Sequence, residues 1–257
     1  MNDIVLKNKP LIEAILDFRW KLPQKTGDIY WDPNYKLLVG KLYSSIESMY
    51  PNAQQLPAVS LPEEMASYVV QHQFRQEDGG WPLVQIGPGV LTLNDTEKYV
   101  WSDFEKRIRN LLNAFFSAYP NSESALSTES IMLRYIDAID FNFKDENVFE
   151  FLKSKLKTTI NIYPKLFDGD NVRKLPVGLD FRYFFESNKP AGIIQHRFTR
   201  GQKDERDALI WETLIQSSKK NAPESKDQIL NWVNEAHNLS RDWFFKMIEG
   251  DLRKRFE

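Results

Sequence analysis

The sequence has no cysteine among its 257 residues. Disulfides, thiolate nucleophiles and cysteine-based zinc sites are therefore excluded. Histidine is almost as scarce, since only His72, His196 and His237 are present, and their spacing matches no paired metal-ligand motif. No apolar run approaches the roughly 18 residues that a membrane-spanning helix requires.

The common sequence signatures of catalysis and cofactor binding are also missing. The chain contains no nucleophile elbow, no P-loop and no dinucleotide fingerprint. The pair of glycines at Gly87 and Gly89 flanks a proline and is typical of a tight turn, because no Lys-Ser/Thr follows it. We therefore expect no catalytic residues, no bound metal and no cofactor.

Charge and the first residues give expectations about partners and location. The formal net charge of −2 argues against broad electrostatic binding of nucleic acid, although it leaves a local basic stripe open. Residues 1–9 are polar and mixed in charge, without the apolar segment of a secretory signal. We expect a soluble, cytoplasmic protein that does not enter the membrane.

One pattern occurs twice. Residues 69–74 (VVQHQF) and 193–198 (IIQHRF) align at an offset of 124 residues, and the same offset places 12–15 over 136–139. Two separate segments thus agree on one register. The agreement predicts a diverged duplication with an N-terminal half at 1–121 and a C-terminal half at 122–257, both within one continuous globular unit.

Hydrophobic periodicity predicts the same order of elements in each half. Residues 11–20 and 132–141 alternate apolar and polar side chains as half-buried strands do, whereas 104–116 and 229–247 carry apolar residues at helical spacing. Each half therefore has a strand–helix–strands–helix (βαβββα) plan. This plan predicts an α+β fold with a curved antiparallel sheet and helices on one face. It resembles the TATA-binding-protein-like and helix-grip folds, and that analogy implies no function.

Alternation along the strands assigns side chains to the two faces of the sheet. His72 and His196 share a face with apolar neighbours, so we expect them to point toward the helices as core histidines. Polar side chains on the other, open face are the better candidates for binding. This candidate set consists of Gln71, Gln73, Arg75, Arg134, Asp137, Arg182, Gln195 and Arg197. The alternative is a solvated sheet face whose ion pairs contribute little.

Five short motifs together resemble a sporadically distributed, largely uncharacterised prokaryotic family. They are KPLIEA at 9–14, QIG at 85–87, YxWxxF at 99–104, LRYID at 133–137 and AH at 236–237. The resemblance spans nearly the whole chain and implies a shared architecture without an established activity. The patchy distribution of this family implies an association with defence islands and a part in immunity against phage.

Three functions remain open from the sequence. The leading hypothesis is a non-catalytic binding, regulatory or sensor subunit that contacts another protein, encoded nearby, through the open sheet face or the groove between the two halves; self-association is left open. The second is nucleic-acid or nucleotide binding, in which Arg75, Arg182, Arg197 and Arg200 contact phosphates. The third is a metal-dependent hydrolase or nuclease that uses carboxylates such as Asp137 and Asp180.

Overall fold

A computed structural model describes residues 6–27, 29–96, 98–122, 126–169 and 171–257. We number the strands and helices of this part of the chain in sequence order. The strands are β1 (Leu11–Trp20), β2 (Gln24–Thr26), β3 (Ile29–Tyr30), β4 (Asn52–Gln55), β5 (His72–Arg75), β6 (Leu83–Gly87), β7 (Val90–Asp95), β8 (Thr128–Asp140), β9 (Asp180–Asn188), β10 (Ala191–Lys203) and β11 (Arg206–Ser218). The α-helices are α1 (Tyr35–Ile46), α2 (Trp101–Ala118), α3 (Val148–Lys155), α4 (Lys226–Met247) and α5 (Asp251–Phe256).

Nine of these strands form one antiparallel sheet in the order β4-β5-β6-β7-β1-β8-β11-β10-β9. The first strand of each predicted half lies at the centre, where β1 pairs with β8 and places Leu16 opposite Leu133. The predicted α+β fold, with helices packed on an antiparallel sheet, is therefore confirmed. A separate hairpin joins β2 and β3.

The strand order is similar on the two sides of the central pair. From β1 outward come β7, β6 and β5, and from β8 outward come β11, β10 and β9. The two segments that carry the QH pattern do not hold equivalent places in this order, because β5 is the third strand from β1 whereas β10 is the second from β8. The duplication and its boundary near residue 121 stay predictions.

The sheet has a helix face and an open face. Leu16, Phe18 and Leu133 point to the helix face and are almost completely buried. Phe18 contacts Phe115 of α2 edge-to-face with ring centroids 5.7 Å apart, and Phe185 of β9 contacts Trp243 of α4 in the same way at 5.8 Å. Aromatic and aliphatic side chains of the helices therefore cover one side of the sheet.

The chain ends on a second helix that the sequence did not predict. The charge of residues 251–257 predicts a solvated end of α4, but α4 ends at Met247 and Gly250, with a φ of 106°, precedes the short helix α5. Leu252 and Phe256 of this helix are buried in a hydrophobic cluster with α3. The expectation was wrong because this segment is mostly charged, and its two apolar residues, which lie one helical turn apart, are too few to predict a buried helix from the sequence.

The start of α4 is fixed by a capping box. The Ser225 hydroxyl accepts a hydrogen bond from the Gln228 backbone N–H, and the Gln228 side chain accepts one from the Ser225 N–H. We expect Ser225→Ala to lower the free energy of unfolding by about 1 kcal/mol, measured by urea denaturation. Ser218→Ala is the matched control, because Ser218 makes no cap bond to its short 3₁₀ turn. An equal loss in both variants would contradict this role of the cap.

In the part of the chain that the structure describes, no helix has the length and apolar character needed to cross a membrane.

Candidate functional site

The open face carries four charged side chains that form one chain of ion pairs across β9, β10, β11 and β8. Arg197 contacts both Asp180 oxygens, with Nη2 2.6 Å from Oδ2, and its Nη1 lies 3.3 Å from Glu212 Oε1. Arg134 Nη2 lies 2.7 Å from the other Glu212 oxygen. We call Asp180, Arg197, Glu212 and Arg134 the charge ladder.

The charge ladder compensates its own charges. Asp180 and Glu212 balance Arg197 and Arg134, and the Arg197 guanidinium keeps the pKa of Asp180 below its usual range. A third arginine, Arg200, lies on the other side of β10, in step with the buried Phe198, and is held by both oxygens of Asp207. Phosphate contacts on this face would therefore compete with existing carboxylates, which makes the face a poor electrostatic match for nucleic acid.

The remaining candidates on the open face have other partners or none. Arg75 donates to the Gly80 carbonyl at 2.8 Å and to Gln73, and it stacks on the ring of Trp81. Gln71 is buried and lies just before β5. Gln195 pairs with the exposed Phe184, and Arg182 lies beside Asp180 at 3.9 Å. These residues do not converge on a cavity with the charge ladder.

Asp137 was assigned to the open face, and that assignment is wrong. It lies on the helix face of β8, two residues after Tyr135, whose hydroxyl is 2.9 Å from Nδ1 of His237 in α4. Asp137 is 4% exposed. Since Asp180 is on the open face, the two carboxylates lie on opposite sides of the sheet and cannot form one hydrolytic site. Among the described residues, no group of three or more His, Asp or Glu side chains could hold a metal ion.

The helix face instead contains a cavity of about 130 Å³, which we call the Asp137 cavity. It lies between the centre of the sheet, the segment before α2 and the last turns of α4. Its apolar wall consists of Leu6, Pro10, Leu11, Val100, Trp101, Phe244 and Phe245. Its polar wall consists of Lys9, Tyr99, Tyr135, Asp137, Thr213, His237, Ser240 and Arg241.

The carboxyl of Asp137 is the most perturbed acid in this cavity. Burial raises its pKa to about 8, and the positive charge of Lys203 opposes this rise. No described residue donates a hydrogen bond to it. With this pKa the group is largely protonated at neutral pH, and no described residue forms the ion pair that normally accompanies a buried carboxylate.

A chain of hydrogen bonds lies beside this carboxyl. The Tyr99 hydroxyl is 3.0 Å from the Tyr135 hydroxyl, which in turn contacts His237. Trp101 stacks on the His237 ring with centroids 3.6 Å apart and planes 3° apart. Burial lowers the pKa of His237 to about 3, helped by the nearby Arg241, so the imidazole is neutral at physiological pH.

Two further polar atoms of the cavity wall have no hydrogen-bond partner among the described residues. They are Nε2 of His237 and Oγ of Ser240, and both side chains are more than nine-tenths buried. Unpaired buried polar groups are rare because each loses its hydration without compensation. These two atoms and the Asp137 carboxyl, to which no described residue donates a hydrogen bond, mark this cavity as the strongest candidate for a functional site.

The comparisons with known proteins do not assign this site. No protein-family model matches the chain, and no curated protein sequence is similar to it. The resemblance to a prokaryotic family therefore stays a prediction.

Most of the cavity was not predicted from the sequence. The position of His237 on the last helix predicts a surface or interhelix residue, and no sequence pattern identifies Tyr135, Ser240 or Trp101 as site residues. One signal was available. Asp137 alternates in step with Leu133, Tyr135 and Ile139, which places it on their side of the strand. No comparable pattern connects residues 6–11, 99–101 and 237–245, which only the tertiary fold brings together.

Proposed function

We propose that the protein binds a small ligand in the Asp137 cavity and acts as a sensor or regulatory subunit. The observation that carries this proposal is the buried Asp137 carboxyl, with which no described residue forms an ion pair or hydrogen bond. Such a group destabilises the folded state, and proteins retain such groups mainly at sites where they serve a ligand or a reaction. The apolar wall around a few polar groups is typical of ligand pockets.

The chemistry of the wall defines the class of ligand. An engineered apolar cavity of roughly 150 Å³ in another protein accommodates benzene, so a volume of about 130 Å³ suits a single aromatic ring. Trp101, Phe244 and Phe245 supply flat or apolar contact surfaces. Asp137 in its ionised form accepts hydrogen bonds, which favours a ring with N–H donors or a positive charge. We therefore expect a compact, planar nitrogen compound.

Binding of a cationic ring must release a proton. Asp137 is mostly protonated below pH 8, and a cation pairs with the ionised form, so the proton leaves as the ligand binds. Affinity should rise as pH increases from 6 toward 8 and then level off. A neutral ligand that accepts a hydrogen bond from the protonated carboxyl would show the opposite trend.

Benzamidine is a suitable first probe because it is planar, cationic and carries adjacent N–H donors that match a carboxylate. We expect calorimetry to detect binding that strengthens several-fold between pH 6 and pH 8, with a heat that varies with buffer as protons are released. Asp137→Asn should abolish this binding. Asp140→Asn is the matched control, since Asp140 lies on the same strand and pairs with Arg206 at the surface.

Two results would overturn the proposal. The first is equal binding of benzamidine by wild type and Asp137→Asn. The second is absence of binding for benzamidine, 2-aminopyridine and adenine alike, since these probes span cationic and neutral planar nitrogen compounds.

The ligand response is proposed to regulate another protein, because the described residues around the cavity form no catalytic constellation. The resemblance alone supports a partner that is encoded nearby and a role in antiphage defence. Affinity purification from the native host, with and without nuclease, tests this part. A protein partner that survives nuclease treatment supports it, whereas material lost entirely on treatment would favour nucleic-acid binding.

A further inference from the structure

The strand β9 forms one edge of the sheet and is unusually open for an edge strand. It is 9 residues long, and Phe184 and Phe185 on it are 61% and 49% exposed. The opposite edge is β4, which has only 4 residues and no large apolar side chain. Proteins usually protect a long apolar edge, because its unpaired backbone groups are a template for another strand.

The backbone groups that β9 leaves free can be identified from its pairing with β10. The Arg200 N–H donates to the Leu179 carbonyl at 3.0 Å, so residue 179 points its backbone groups toward β10. Alternation then directs the backbone groups of 180, 182, 184, 186 and 188 away from β10. In the described part of the chain, these outward groups make no backbone hydrogen bond to another segment.

We propose that β9 pairs antiparallel with β9 of a second copy of this chain, with Phe184 at the two-fold axis. In this register Phe184 lies opposite Phe184 of the partner subunit, and Arg182 lies opposite Glu186 of the partner subunit. The symmetry repeats the Arg–Glu pair on the other side of the axis. Glu186 is exposed and has no ion pair within the described chain, so its charge is available.

Neighbouring registers are less favourable. With Tyr183 at the axis, Asp180 lies opposite Glu186 of the partner subunit, and with Arg182 at the axis, two Arg182 side chains face each other. With Phe185 at the axis, the Arg–Glu pairs are lost. With Glu186 at the axis, two Glu186 side chains face each other. Opposite charges and aromatic pairs across strands each contribute roughly 0.2–1 kcal/mol, while like charges destabilise, so one register is selected.

The proposed register also matches the two faces of the sheet. Residues that pair directly lie on the same side, so the open faces of the two subunits become continuous. On the helix face, Tyr183 lies opposite Phe185 of the partner subunit, which extends the aromatic cluster of Phe181, Tyr183 and Phe185. The backbone groups of a nine-residue strand and aromatic contacts on both faces then stabilise the dimer.

Charge reversal tests the register directly by sedimentation over a concentration series. We expect wild type to dimerise, and both Arg182→Glu and Glu186→Arg to become monomeric, because each variant opposes like charges. An equimolar mixture of the two variants should dimerise again, and so should the double variant. Lys41→Glu, an exposed change on α1, is the control and should remain dimeric. A monomeric wild type, or single variants that dimerise as wild type does, would overturn the proposal.

The absence of cysteine allows a second test. Phe184→Cys introduces a single thiol that meets its own copy at the axis, where hydrogen-bonded strand pairs have Cα atoms about 5.5 Å apart. Mild oxidation should crosslink this variant nearly completely, whereas Val177→Cys, which is more exposed, should remain uncrosslinked. Efficient crosslinking at 177 without crosslinking at 184 would contradict the proposed pairing.

Discussion

Replacement of Asp137 by asparagine is expected to stabilise the protein, and the gain should increase with pH. The folded state raises the pKa of Asp137 to about 8 from an ordinary value of 3.8, so the folded protein holds a proton that the unfolded chain releases. The contribution of Asp137 to the free energy of unfolding of the wild type is therefore fully present below pH 4 and is lost as pH rises toward 8. Asparagine has the same shape and carries no proton to lose.

The size of the effect follows from the same linkage. Between pH 4 and pH 8, each pH unit lowers the free energy of unfolding of the wild type by at most about 1.4 kcal/mol, and water penetration reduces that amount. We therefore expect Asp137→Asn to raise the free energy of unfolding by on the order of 3 kcal/mol at pH 8. Urea denaturation of both proteins at pH 4, 6 and 8 measures it. Asp140→Asn should show no comparable pH dependence. An asparagine variant that is less stable than wild type at pH 8 would mean that the ionised carboxyl has a partner.

Replacement of Glu212 by glutamine is expected to weaken the folded state by about 2 kcal/mol. Its side chain is 7% exposed and accepts hydrogen bonds from both Arg134 and Arg197. The variant keeps the shape but removes the negative charge that both guanidinium groups face. The arginines are partly exposed, so water compensates some of the loss and keeps it below that of a fully buried pair.

Asp242→Asn provides the matched control for Glu212, because Asp242 pairs with Lys246 on the exposed surface of α4 one turn away. Exposed pairs of this kind contribute about 0.5 kcal/mol or less. Equal effects at the two sites in urea denaturation would show that the charge ladder is only a set of surface pairs. A larger effect at Glu212 supports its role as the bridge between β8, β11 and β10.

The sequence predicted the local elements well where the periodicity was strong. β1 begins and ends where the alternation of residues 11–20 placed it, and the α2 positions at helical spacing, such as Phe104 and Phe115, are buried as expected. His72 and His196 also lie on the helix side, where they contact Tyr35 of α1 and Thr213 of β11. Amphipathic patterns report which side of an element is buried, and nothing more is needed for these assignments.

Assignments failed where polarity was taken as evidence of exposure. Arg134 and Asp137 were placed on one face although they are three residues apart, a spacing that puts them on opposite faces of a strand. The charge of segment 201–207 predicts a loop, but β10 and β11 continue to a tight turn at Asp204 and Glu205, both with positive φ. Pairing of the two strands supplies stability that composition does not reveal.

The Asp137 cavity depends on contacts between residues far apart in the chain. Its wall combines the segment before β1, the entrance to α2, the middle of β8 and the end of α4, and no periodic pattern relates them. No sequence pattern predicts a buried carboxyl to which no described residue donates a hydrogen bond, because polar residues in cores are normally hydrogen-bonded. Such a departure from the usual rules is expected at functional sites.

The most direct test of the ligand-site account is titration of the Asp137 carboxyl carbon by NMR, with the Asp137→Asn spectrum to identify its resonance. The account predicts a midpoint near pH 8 in the free protein and a midpoint at least one unit lower when benzamidine is bound, because the cation stabilises the ionised form. A midpoint near 4 in the free protein would contradict the account, since the carboxyl would then already have a partner.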